Sequence, residues 1–224
     1  MNKYLFPIYA VILGFIIVKL TKDKPIKHIR LLLAFSGAFL LSLTVFDLLP
    51  EVYERLNPKH TGLFIMLGIL VQIFLEFFSK GAEHGHVHIE KENKTFPWVL
   101  FISLCIHSFL EGFPIHQHND MVYGVLIHKI PIAILITSYL SQSGYNLKQT
   151  LLFLTIFGIM TPLGTYFSNE VQGIDNVLHY INALVIGIFL HISTTILFES
   201  SEGHKLDLSK LVAIIVAVFA AYLF

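Results

Sequence analysis

Eight apolar runs, each close to the length of a membrane-crossing helix, dominate this sequence. They lie at roughly 4–20, 29–50, 61–79, 97–115, 121–141, 149–168, 177–198 and 207–224. An α-helix needs about 20 apolar residues to cross the hydrocarbon core of a bilayer. Backbone polar groups in lipid must be satisfied within their own segment, so runs of this length predict helices. The pattern therefore predicts an all-α integral membrane protein with eight transmembrane helices.

The composition supports this prediction and excludes several other classes. The chain is 55% hydrophobic and only 13% charged, whereas soluble domains have about 25% charged residues. A formal net charge of zero gives no electrostatic basis for a nucleic-acid partner. The single cysteine, Cys105, excludes an intrachain disulfide framework. We expect the lipid bilayer and divalent metal ions as partners, and a homodimer is compatible with the sequence.

The distribution of basic residues predicts the orientation of the helices. With eight spans, eleven of the fifteen basic residues fall on one side of the membrane. These are Lys19, Lys22, Lys24, Lys27, Arg30, Lys80, Lys91, Lys94, Lys148, Lys205 and Lys210. The positive-inside rule then places that side, including the loop at about 80–96, in the cytoplasm. We therefore expect a single domain over 1–224 in the plasma (cell inner) membrane, with both termini outside the cytoplasm.

Span four carries polar side chains in a region that is otherwise apolar. His107 and Glu111 are four residues apart in the segment HSFLEG, and Ser108 lies beside them. Residues at this spacing share one face of a helix. A carboxylate at mid-membrane costs about 2.5–3.5 kcal/mol on insertion scales, so its presence there requires an explanation. Imidazole and carboxylate together form half of a site for zinc, iron or manganese.

Span five carries a second polar pair, His128 and Lys129, in the segment HKIPIA. Pro131 lacks an N–H and clashes with the carbonyl four residues back, at Ile127, which frees a backbone oxygen beside His128. A short connection makes spans four and five antiparallel neighbours. Two alternatives remain open for these residues: they bind a metal ion, or they only tie helices together. Lys129 is also a candidate salt-bridge partner for Glu111.

Other polar residues give weaker signals. Three histidines alternate in the longest loop and either bind metal loosely or belong to a solvated segment. They are His84, His86 and His88. His116 and His118, in the turn between spans four and five, are candidates for an ion entrance, although ordinary turn residues are the favoured interpretation. Asp47, near the end of span two, either lines the pathway or caps an interface.

The motifs, taken in order, resemble those of the ZIP family of metal-ion transporters. HSFLEG resembles that family's H-[NS]-x-x-[ED]-G, and HKIPIA resembles its H-[EDK]-x-P-x-[EA]. FSGAFLLSLTVFDLLPE in span two, MTPLG in span six and GIFLHI in span seven are similar to further family segments. The resemblance implies spans one to three and six to eight as inverted repeats around spans four and five. It also implies movement of zinc, iron or manganese toward the cytoplasm, with His107, Ser108, Glu111 and His128 at the site and no resident cofactor.

The sequence departs from the family pattern where many members bind a second metal ion. Lys129 follows His128, Ile132 follows Pro131, and Thr161 precedes Pro162 where many members have glutamate. An ammonium close to Glu111 would repel a second dication. We therefore predict one metal ion, with Lys129 as a substitute for the second site or as the charge partner of Glu111.

Three kinds of protein could contain such a cluster. A divalent-metal transporter fits all of the features above and makes zinc the first expectation. A membrane-embedded, metal-dependent hydrolase is the alternative. It needs a separate acid or base, and the lack of a further acid near the middle of spans four to six counts against it. A purely structural protein leaves Glu111 and Lys129 with no role beyond pairing.

Overall fold

The computed structural model describes residues 3–22, 24, 26, 28–79, 96–115, 120–171, 173–199 and 208–224. We number the α-helices of these ranges in chain order. They are α1 (Phe6–Leu20), α2 (Ile29–Arg55), α3 (Pro58–Ser79), α4 (Trp98–Leu110), α5 (Met121–Gln142), α6 (Leu147–Glu170), α7 (Asp175–Glu199) and α8 (Leu208–Tyr222). The described ranges contain no strand, which confirms the predicted all-α class.

Within the described residues, six helical segments are long and apolar enough to cross a membrane. They are Ile29–Arg55, Pro58–Ser79, Trp98–Ile115, Met121–Gln142, Leu147–Glu170 and Val177–Phe198. The other two helices, α1 and α8, have 15 residues each. At about 1.5 Å per residue such a helix is roughly 22 Å long, shorter than the ~30 Å hydrocarbon core. The membrane class is thus confirmed, and the count of eight spans stays a prediction.

Helix α2 extends five residues beyond the predicted end of its span and contains an irregular turn. A π-helical turn covers Thr44–Leu48, and the helix continues over Leu49–Arg55. The irregular turn ends two residues before Pro50, which has no N–H to donate to the regular series of helix hydrogen bonds. The continuation past the proline explains why the apolar run alone ended too early.

Small residues let several helices approach at backbone distance. The main contacts join α1 to α5, α2 to α8, α3 to α7 and α4 to α6. Gly14 faces Ala133 between α1 and α5, and Gly68 faces Gly187 between α3 and α7. Small residues at such crossings are typical of helix packing in membranes, where apolar burial does not drive association.

The end of α4 is the feature that positions the polar cluster. The helix stops at Leu110, and a 3₁₀ turn over Phe113–Ile115 follows it. Gly112 lies in this break, where an added Cβ would overlap the carbonyl oxygen of Thr161 on α6. The close contact holds Glu111 directly against α6. Helices α5 and α6 continue through Pro131 and Pro162 without a break.

Candidate metal centre

Side chains from α4, α5 and α6 meet in a buried polar cluster. Its members are His107, Ser108, Glu111, His128, Lys129, Phe157 and Thr161. Five members are between 0% and 4% exposed: His107, Ser108, Glu111, His128 and Lys129. The i, i+4 spacing of His107 and Glu111 and the adjacency of His128 and Lys129 bring these pairs to one level of the bundle. The polar residues of spans four and five therefore share one location.

The two oxygens of the Glu111 carboxylate face different neighbours. Oε2 lies 3.4 Å from Nε2 of His107. Oε1 accepts hydrogen bonds from Thr161 Oγ1 at 2.6 Å and from Ser108 Oγ at 3.2 Å. Lys129 Nζ also donates to Oε1. One oxygen is thus surrounded by donors, while the other faces an imidazole.

The Lys129 ammonium is surrounded by three hydrogen-bond acceptors and one aromatic ring. Its three protons have three acceptors: Glu111 Oε1, Ser108 Oγ, and Thr161 Oγ1 at 2.8 Å. The ring of Phe157 lies over it, with its centroid 4.3 Å from Nζ, in the arrangement of a cation–π contact. A buried charge persists only when it is paired and hydrogen-bonded. Lys129 meets both conditions, so a charged lysine is compatible with its buried position in the centre.

The opposite side of the carboxylate faces the imidazole of His107, which lies next to that of His128. His107 and His128 approach edge to face, with ring centroids 6.3 Å apart. Both line a small cavity with Glu111, and the further lining residues are Lys129, Ile132 and Phe157. His107 Nδ1 is buried and has no hydrogen-bond partner among the described residues. The cavity therefore offers imidazole nitrogen and carboxylate oxygen, the donors that first-row divalent ions accept.

Two of the three donor residues are already placed as they would be around a bound ion, and the third is not. In the described part of the chain, no three His, Cys, Asp or Glu side chains form a ready-made ion-holding group. A bond from zinc to a ligand atom is about 2.0–2.1 Å long, so two ligand atoms of one tetrahedral ion lie about 3.4 Å apart. His107 Nε2 and Glu111 Oε2 already have this separation of 3.4 Å. The ring of His128 must therefore turn toward them to share one ion. Side-chain rotation within the cavity is the movement that binding requires.

The remaining predicted residues lie away from this cluster or outside the described ranges. Asp47 is exposed in the π-helical turn of α2 and does not line the cavity. The histidines of the long loop and of the turn before α5 lie outside the described residues. They are His84, His86, His88, His116 and His118. Their roles stay predictions.

Sequence reasoning missed the contribution of α6. Phe157 and Thr161 are four residues apart and share the face that meets α4 and α5. In the sequence, Thr161 stands out only as a departure from the family pattern. A threonine before a proline inside an apolar run marks a polar position, but it does not indicate which helix the side chain faces. Separately, Nε2 of His191 on α7 lies 2.6 Å from Oε2 of Glu76 on α3, so these two residues form a polar pair.

Comparison with known proteins identifies the family of this chain. The family model described as ZIP zinc transporter matches residues 79–223. "Zinc transporter ZIP1" of Danio rerio is 27% identical over 140 residues, which cover 58% of this chain and 45% of that protein. "Protein zntD" of Dictyostelium discoideum is 22% identical over 147 residues, covering 56% of this chain and 22% of that protein. The chain thus spans less than half the length of these curated relatives. The matched region contains all of α4 to α8, and this chain belongs to the ZIP zinc transporter family, a family of transporters rather than enzymes.

Proposed function

We propose that this protein moves divalent transition-metal ions across the membrane through one site formed by His107, Glu111 and His128. Zinc is the first expected substrate, and iron and manganese are the alternatives. One observation carries the proposal: two imidazoles and one carboxylate oxygen line a single buried cavity. Membership of a transporter family supports transport over the hydrolase alternative. The relative named as a zinc transporter supports zinc as the substrate.

The chemistry of the three donors suits an ion that must bind and then leave. Imidazole and carboxylate bind zinc, iron and manganese, and affinity alone does not select among these metals. Three donors leave at least one coordination position of a four-coordinate ion for water or for an incoming ligand. Such an incomplete shell permits exchange of ligands, which a transported ion requires at both ends of its path.

We further propose that the centre holds one ion at a time. Lys129 lies on the Oε1 side of Glu111, so a second dication there would face the ammonium at about 4 Å. Two unit charges at that distance interact by about 4 kcal/mol at an effective dielectric of 20, and a dication doubles the repulsion. Ser108, predicted as a ligand, has its hydroxyl engaged with Lys129. We therefore assign Ser108 to the lysine side of the carboxylate.

The predicted orientation and repeat complete the proposal. The basic-residue bias supports the placement of both termini outside the cytoplasm, and the family resemblance supports transport toward the cytoplasm. An inverted repeat that relates α1–α3 to α6–α8 and α4 to α5 is supported by the packing. Under this repeat, the contact of α1 with α5 is equivalent to that of α6 with α4. The contact of α3 with α7 is likewise equivalent to that of α8 with α2. All four contacts occur. A single domain over 1–224, the plasma membrane and a homodimer remain part of this proposal.

Uptake into proteoliposomes tests the proposed function. We expect the wild-type protein to carry zinc into zinc-free vesicles, and we expect His107→Ala to lose at least nine-tenths of that uptake, because one of three ligands is removed. Uptake is measured with a fluorescent zinc indicator inside the vesicles. Competition by unlabelled iron and manganese in the same assay ranks the three metals.

The matched control is His60→Ala, which removes an exposed histidine at the start of α3. This variant is expected to keep wild-type uptake. Equal zinc uptake by the wild type and His107→Ala would overturn the proposed site. No uptake above that of empty vesicles by the wild type, with iron and manganese also tested, would overturn transport itself.

The number of ions is tested by anomalous scattering from zinc-soaked crystals of the wild-type protein. We expect one anomalous peak among His107, Glu111 and His128, because the ammonium occupies the other side of the carboxylate. Two peaks less than about 5 Å apart, the separation of a paired metal site, would contradict the single-ion proposal. Crystals of Lys129→Met protein provide the comparison in which the repelling charge is absent.

A further inference from the structure

We infer that Thr161 is a positioning residue, which holds Glu111 so that Oε1 stays with Lys129 and Oε2 faces the transported ion. The inference rests on the proposed function, and it assigns to α6 a part in the centre that its sequence did not suggest. Thr161 is fully buried, and its side chain touches both members of the central ion pair. It reaches the ion only through Glu111.

The Thr161 hydroxyl uses its hydrogen-bonding capacity on the two opposite charges. Its single proton is donated to Glu111 Oε1 at 2.6 Å. Its oxygen accepts a proton from Lys129 Nζ at 2.8 Å. A hydroxyl has one donor and two acceptor positions, so the same atom can bridge a carboxylate and an ammonium. This bridge fixes the rotation of the carboxylate about its last bond.

Other buried threonines make a hydrogen bond within their own helix that Thr161 does not make. A buried threonine in a helix commonly donates to the carbonyl four residues back. Thr137 donates to Ala133 O at 2.6 Å, and Thr44 donates to Leu40 O at 2.7 Å. The equivalent acceptor for Thr161 is Phe157 O, which lies instead 3.4 Å from Ser108 Oγ. The Thr161 hydroxyl points out of its own helix, and its proton goes to Glu111.

Fixing the carboxylate determines how Glu111 can bind a metal ion. With Oε1 held by Thr161 and Lys129, only Oε2 remains for the ion, so coordination is through a single oxygen. Two-oxygen coordination would pull Oε1 away from Lys129 and leave an uncompensated buried charge, which is strongly unfavourable. One oxygen and two imidazoles suit a four-coordinate ion such as zinc better than ions that require six or more oxygens.

The test compares Thr161→Val, which keeps the shape but removes the hydroxyl, with Thr161→Ser, which keeps the hydroxyl. We expect Thr161→Val to raise the KM for zinc uptake about tenfold, the size of one lost hydrogen bond to a charged group, with a maximal rate within about twofold of the wild type. Thr161→Ser is expected to restore KM to within about twofold. Zinc binding in detergent, measured by calorimetry, should change in the same way.

Thr137→Val is the matched control, because it removes a fully buried hydroxyl that bonds only within α5. Wild-type KM in Thr161→Val, or a Thr161→Ser value that matches Thr161→Val, would overturn the inference. If Thr161→Val does not fold, Thr161→Ala is judged by the same criterion. A hydroxyl that proves necessary for folding in both variants is structural, and that result also overturns the inference.

The two readouts separate this inference from the proposed function. If the wild type moves no metal but Thr161→Val weakens zinc binding and Thr161→Ser restores it, transport fails and the positioning role stands. If the wild type transports zinc and Thr161→Val behaves as the wild type in both assays, the function stands and the positioning role fails.

Discussion

Replacing Glu111 with glutamine is expected to lower the free energy of unfolding by about 3–5 kcal/mol. The substitution removes the only carboxylate that pairs with Lys129 in the cluster and leaves a buried ammonium without a counter-charge. Breaking one partner of a buried ion pair is more harmful than replacing both. Thermal unfolding in detergent, followed by circular dichroism, measures the loss.

The double variant Glu111→Gln/Lys129→Met is the decisive comparison. Because it removes both charges, we expect its stability to return to within about 1 kcal/mol of the wild type. Zinc binding should stay lost, since the carboxylate ligand is still missing. Glu54→Gln, an exposed glutamate on α2, serves as the control for the chemical change alone. A double variant as unstable as Glu111→Gln would show that the unpaired charge is not the cause.

Replacing Gly68 with alanine is the second substitution with a large expected effect. An added Cβ at this position would overlap the backbone carbonyl of Leu184 on α7. Backbone atoms cannot turn aside as a side chain can, so α3 and α7 must separate. Overpacking of a tight core costs about 1–3 kcal/mol and sometimes more, and the same thermal measurement detects it.

Gly62→Ala on the same helix provides the control for this prediction. A Cβ at Gly62 would meet nothing within 4 Å. Alanine also has a higher helix propensity than glycine by about 1 kcal/mol, so this variant should equal or exceed the wild-type stability. If the two alanine variants have the same stability, the contact between α3 and α7 is not as tight as described.

The spans were predictable because their signals are local. The run predicted at 149–168 became Leu147–Glu170, and that at 121–141 became Met121–Gln142. Length and apolar character determine such segments without knowledge of their neighbours. The end of α2 was predicted less well, because a proline usually terminates a helix. A π-helical turn before Pro50 allowed the helix to continue.

The candidate centre was predictable only in part, for the same physical reason. His107 and Glu111 share a helix face by spacing alone, and a short connection brings His128 next to them. Thr161 is 50 residues away from Glu111 in sequence. Nothing local indicates that this threonine, rather than another, meets the carboxylate. That contact depends on the glycines that bring α4 and α6 together at Gly112 and Gly164.

The pairing of Lys129 with Glu111 determines how the membrane voltage acts on the proposed site. Without an ion the two charges cancel, and with a divalent ion and neutral histidines the site carries two positive charges. Moving one charge through 100 mV is worth about 2.3 kcal/mol, so an inside-negative potential favours entry of a dication by up to about 4.6 kcal/mol. The same potential has no net charge to act on when the site is empty. In the proposed transport, the lysine would therefore confine the electrical work to the step in which the ion is bound, and the return of the empty site would not work against the voltage.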